Sequence, residues 1–151
     1  MSMCFMSGHA DAPMELLPRI VELAQQLIEQ WDVTYFLVGH YGNFDRLAAQ
    51  AIRQLKVNYP QIKLVMLLPY YAANQTMDIP NGFDETVYPE GMETVPYRYA
   101  IVKANRWAVE EADHMIVYQY YHVGNTYRLM KYAESVEKRG KLHIWRAGVT
   151  Q

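Results

Sequence analysis

One cysteine, Cys4, stands in a chain of 151 residues. An internal disulfide is thereby excluded, and a lone thiol inside the apolar run Met3 to Met6 is expected to be inert core. No run approaches the roughly 20 apolar residues that a spanning helix needs. The start MSMCFMSGHADAP has no basic segment leading into a long apolar one. A soluble, cytoplasmic chain without a membrane partner is expected. Blocks of like charge are also missing: 14 basic and 16 acidic residues are scattered to a net −2, which gives no broad attraction for nucleic acid. Neither phosphate-loop pattern, GxGxxG or GxxxxGKS/T, occurs.

Apolar residues are plentiful, at 51%. A chain of this size buries roughly 70% of its unfolded surface, so residues 1–151 are expected to form a single domain. Met3 to Met6, Thr34 to Val38, Ile62 to Leu68, His114 to Tyr120 and Leu142 to Trp145 read as strands. Between them, apolar residues recur at helical spacing from near Leu16 to Ile28, from Phe44 to Leu55, from Tyr97 to Ala112 and from Thr126 to Lys138. Asn43 is placed to cap the second of these helices. Strands separated by helices predict right-handed crossovers, hence an α/β fold of Rossmann-like, three-layer form around a mainly parallel sheet of about five strands. Tyr70 to Pro96 shows no periodicity and reads as a binding loop or lid.

In such sheets ligands bind outside the carboxyl ends of the strands. Gly8-His9, Gly39 to Asp45, Pro69-Tyr70 and Tyr121 to Thr126, with Gly124 among them, are expected to gather there. The stretch GHYGNFDR, Gly39 to Arg46, is the densest of these loops. Gly39 and Gly42 would let backbone approach a ligand, while amides at the helix start from Asn43 to Arg46 would favour an anion or hydroxyl-rich group. Asp45 would accept hydrogen bonds from ribose hydroxyls. A plainer reading stands beside this one: glycines for a tight turn, Asn43 as cap, and Asp45 stabilised by the helix macrodipole.

These residues also carry a resemblance. MCFMSGH, FLVGHYGNFDRLA, KLVMLLPY and TVYPEGMETVPYRYAIVKANRWAVEEADHMIVY follow one another in an order that resembles the YpsA-like branch of the SLOG superfamily. That superfamily is named for the DNA-processing Smf/DprA proteins and the LOG phosphoribohydrolases. The likeness spans nearly the whole chain and is most specific at GxxGxFDR and at the YPEG, PxR and KxNRW elements, Tyr88 to Trp107. It implies a Rossmann-like domain that binds or senses a nucleotide or nucleotide-derived small molecule at the strand ends, and it sets the Arg98 to Trp107 segment beside that pocket. The chain departs from the family pattern in three places. Ala10 stands where GHR has its cation. HVGNTYRL has only Gly124 where relatives have paired glycines. Leu129 lies near the place of the catalytic Glu of LOG enzymes.

Arg98, Val102 and Asn105 share one helix face, flanked by Arg106. This face could present two guanidinium groups to phosphate or carboxylate. Alternatively it is a solvated face on which Arg106 pairs with Glu110. Glu90 either enters the pocket or belongs to a Pro-Glu-Gly turn. Tyr118, Tyr120, Tyr121 and Tyr127 suit base stacking and protein contact equally, which keeps a homo-oligomer open. His9 and His40 with Asp45 are conceivable metal ligands, but no second spacing motif supports them and no metal is expected. The sequence specifies no cofactor. Two functions follow: a non-catalytic ligand-binding module, and a LOG-like N-glycosidic or phosphoribosyl hydrolase. The first is favoured, because the last glycine loop carries no carboxylate.

Overall fold

The computed structural model describes residues 2–39, 41–69 and 79–148. Six strands form one sheet: β1 (Ser2–Gly8), β2 (Val33–Val38), β3 (Lys63–Leu67), β4 (Glu85–Val87), β5 (His114–Tyr118) and β6 (His143–Arg146). Their spatial order is β4-β3-β2-β1-β5-β6 and every pairing is parallel. Four helices cross between strands: α1 (Leu17–Trp31), α2 (Asn43–Lys56), α3 (Tyr97–Glu111) and α4 (Gly124–Lys138). The fold is the expected Rossmann-like α/β sandwich, with six strands rather than about five.

Alternation along β1 shows how the sheet divides the core. Cys4 and Met6 point to one face, where Ile20, Leu27, Phe44 and Ile52 of α1 and α2 cover them. Phe5 points to the other and joins Ala104, Ala108, Met130 and Ala133 of α3 and α4. Successive strand residues face opposite ways, and a strand covered on both faces must be apolar throughout. Burial from water drives both layers together. Cys4 is fully buried, and that burial pushes its thiol pKa far up.

Helix boundaries follow local chemistry. Pro18 sits in the first turn of α1, where its missing amide costs no helical bond. Asp32 ends that helix in the left-handed region, with its amide donating to the Leu27 carbonyl. At α2 the expectation needs correction: Gly42 is the N-cap in extended conformation, and Asn43 is the first helical residue without a side-chain capping bond.

The stretch 70–96 also differs from its reading. Residues 70–78 lie outside the described residues, but the remainder contains β4 and a turn of 3-10 helix at Met92–Thr94. β4 is the short sequence ETV at a sheet edge, half-buried throughout. The Leu68 amide donates to Val87 and the Asp84 amide to Leu64, at 2.8 Å each. The Lys56–Asp84 and Lys63–Glu85 ion pairs fasten its flank. A three-residue edge strand with one apolar residue has no apolar period to betray it.

Candidate functional site

Strand order reverses at β1. The chain moves outward through β2, β3 and β4, then returns to add β5 and β6 on the other side. Loops after β1, β2 and β5 therefore part at the carboxyl end of the sheet, which leaves a crevice there. A cleft of about 230 Å³ occupies it. The end of β1 supplies Ser7 and Gly8, the loop after β2 supplies Gly39 to Asp45 in part, α3 contributes Ile101 and Asn105, and the start of α4 contributes Asn125 and Thr126.

Close packing explains the glycines better than ligand approach does. A Cβ on Gly42 would stand 2.5 Å from Ala10 Cα, because the loop after β1 presses on the start of α2. The Asn43 amide donates to the Ala10 carbonyl at 2.8 Å across the same contact. Gly42 has an extended backbone, so its need for glycine is steric rather than conformational. On Gly39 a Cβ would lie 2.8 Å from Asp45 Oδ2, and on Gly8 it would meet the Phe44 ring. Gly124, by contrast, has open space around it and φ of +90°, a conformation side chains rarely adopt.

Asp45 is held against this surface. Its Oδ2 accepts the Tyr41 amide at 3.0 Å, and the carboxyl is half-buried in the cleft wall. Burial lifts its pKa from 3.8 to about 6, and the Tyr41 bond only partly opposes that rise. At the start of α2 an anion would therefore meet competition. One of its amides serves Ala10, another serves Gly42, and a carboxylate already occupies the end of the dipole.

His9 has a structural task. Its Nε2 accepts the Tyr121 amide at 3.1 Å, and its ring meets Tyr118 and Tyr121 edge-on. The Tyr121 hydroxyl donates to Asp11 at 2.8 Å. Together these bonds latch the loop after β1 to the loop after β5. Burial lowers the His9 pKa, with Asp11 opposing, so the neutral acceptor form is favoured.

Gly8, Gly39, Gly42, Asp45, Asn105 and Thr126 therefore meet around one cleft. His40 and Tyr70 lie outside the described residues. Asn43 is exposed beside the cleft, and Arg46 lines an adjoining hollow with Arg53 and Phe83. Arg106 lines a groove between α3 and α4 that opens from the cleft. Arg98 rests over the Tyr99 ring at 4.8 Å and lines neither. Glu90 is exposed in a turn closed by the Met92 amide on the Pro89 carbonyl, 3.4 Å apart. Nor does Arg106 pair with Glu110: it lies over the Tyr132 ring, and Glu110 holds Arg139 at 2.9 Å and the Tyr132 hydroxyl.

Sequence reasoning missed Tyr41 and Asn125. Both flank glycines in loops already singled out, and that adjacency was the available signal. Among the described residues, no three His, Cys, Asp or Glu side chains lie together as a metal site would require. Nor does any described helix have the length and apolarity to cross a membrane. No protein-family model matches the chain, and no curated protein matches it.

Proposed function

We propose that the protein binds a nucleotide or nucleotide-derived small molecule in the cleft at the carboxyl ends of β1, β2 and β5. The observation that carries this reading is the position of Asp45, a half-buried carboxyl facing a cleft rimmed by Asn105, Asn125 and Thr126. A carboxylate among neutral amides and a hydroxyl suits the vicinal hydroxyls of a ribose. Ile101 and Leu129 give the cleft apolar wall for a flat ring. Ligand sites commonly combine such apolar lining with a few oriented polar groups. Calorimetric titration and thermal melts with the four ribonucleosides and their 5′-mono- and diphosphates test the proposal. At about 100 times its dissociation constant, a true ligand adds about 2.7 kcal/mol of stability. Asp45→Asn should weaken that binding about tenfold, by removing a charge-assisted hydrogen bond. Absence of any shift across the panel rejects the reading.

A second reading, hydrolysis of an N-glycosidic or phosphoribosyl bond, draws on the same carboxyl. With a pKa of about 6, Asp45 exchanges a proton near neutrality and would suit a general acid or base. Binding is preferred because glycosidic hydrolysis usually employs two carboxyl groups, and Asp45 is the one carboxyl among the described residues lining the cleft. Chromatography for free base after incubation with nucleoside 5′-monophosphates separates the readings. Release that Asp45→Asn abolishes supports hydrolysis; unchanged nucleotide leaves binding alone.

A further inference from the structure

The cleft has no described cation in its lining, and its one carboxyl disfavours an anion beside it. A cationic partner for a phosphate on the bound molecule must therefore come from outside this lining. The cleft continues into a groove between α3 and α4. Asn105, Asn125 and Leu129 line both spaces, and Val102, Arg106 and Arg128 complete the second. Two arginines from different helices thus border one groove.

Among the described residues, neither arginine has an anionic partner. Among the described residues, the ion pairs around α3 and α4 join Glu110 to Arg139, and Glu134 to Lys131 and Arg146. Arg106 and Arg128 take part in none of them. Both are nevertheless positioned. Arg106 lies over the Tyr132 ring, 5.0 Å from its centroid, and Arg128 donates to Asn125 Oδ1 at 2.7 Å. Two cations on one groove repel each other, and the first turn of α4 carries no acidic side chain to offset Arg128. A phosphate relieves this repulsion, and a guanidinium's planar fork matches phosphate oxygens. The competing cations are less available: Arg53, in the adjoining hollow, donates to the Gly82 carbonyl at 3.2 Å and stacks on Phe83. Arg46 shares its hollow with Asp45 itself.

We infer that the site has a second compartment, in which Arg106 and Arg128 together hold a phosphate of the bound molecule. This rests on the binding reading above and narrows it to a nucleoside phosphate, its sugar at Asp45 and its phosphate between α3 and α4. The pairing differs from the Arg98 and Arg106 pairing suggested by helical spacing, since α4 rather than the start of α3 supplies the second cation.

The test measures affinities for the four ribonucleosides, their 5′-mono- and diphosphates, and pyrophosphate alone. Titrations use the wild type, Arg106→Gln, Arg128→Gln, the double variant, Arg46→Gln and Asp45→Asn, with melts to verify folding. A nucleoside phosphate should bind the wild type at least about tenfold more tightly than its nucleoside, and each groove variant should erase most of that advantage without touching nucleoside affinity. The advantage should also shrink with added salt, because partly exposed charges are screened. Pyrophosphate binding lost in the double variant, with no nucleoside binding, upholds the groove and rejects the sugar site. Asp45-dependent nucleoside binding without any phosphate advantage upholds the cleft and overturns the groove. An advantage lost in Arg46→Gln but kept in the double variant also overturns it. Binding of no probe rejects both.

Discussion

Asp45 shows how far a single position was legible. Its place in GHYGNFDR marked it as a candidate, and the cleft contains it. What spacing could not reveal is its cost to the fold. A carboxylate in the first turn of a helix ordinarily gains from the macrodipole, but the packing of Gly39 and Tyr41 around it removes water from one side. The folded pKa of about 6 exceeds the unfolded 3.8. Below both values the two states are equally protonated and no penalty exists. As pH rises between them, the native state binds more protons than the unfolded one, so stability falls and the full penalty holds above about 6. Asp45→Asn should leave denaturant stability unchanged near pH 3 and raise it by roughly 1 to 3 kcal/mol at pH 8. Urea melts at the two pH values check this. A loss of stability at pH 8 would mean that the dipole interaction outweighs desolvation. Stability gained where binding is lost is the usual mark of a residue retained for function.

At the scale of elements, strong periods were readable and weak ones were not. α1 and α2 announce themselves through Ile20, Leu23, Leu27 and through Phe44, Leu47, Ile52, because an amphipathic stripe is a property of the chain itself. β4 is silent because its pairing with β3 and the ion pairs at its flank are tertiary facts. The start of α2 was misread for a related reason. Asn43 is a good cap by type, yet the Ala10 loop packs so closely on the preceding residue that only glycine fits the cap position. Arg128 was likewise hidden, since its neighbour Arg106 comes from another helix. Gly42→Ala should therefore cost about 1 to 3 kcal/mol through overpacking against Ala10, despite a backbone conformation that alanine adopts readily. Chemical denaturation measures the loss. A neutral result would show that the loop after β1 yields without strain. Gly42→Ala accordingly reports on loop packing, and ligand contact at this turn is better tested through Asp45.

Across the whole molecule, two buried histidines mark opposite ends of the sheet. His9 follows the carboxyl end of β1, and His114 opens β5 at the amino end, where its Nδ1 accepts the Trp145 indole at 3.2 Å. Both are almost completely buried and serve as neutral acceptors. Burial lowers the pKa of each; for His114 the nearby His143 adds to the shift and Asp113 opposes it. With folded values below the ordinary 6.5, the unfolded chain takes up protons first as pH falls. The stability these histidines contribute is complete above about 6.5 and is lost as pH falls through their folded values. Asp45 runs the other way over part of the same range, because its desolvation penalty disappears as it protonates. The two opposing linkages predict a shallow dependence in the wild type between pH 7.5 and 5. Asp45→Asn, which removes only the carboxyl's share, should make the decline toward acid visibly steeper. His9→Gln and His114→Gln should flatten it, each by withdrawing one buried base. Urea melts across this range on the four proteins give the slopes. If Asp45→Asn has the same slope as the wild type, Asp45 does not titrate near neutrality, and its case as a proton carrier in the cleft falls with it.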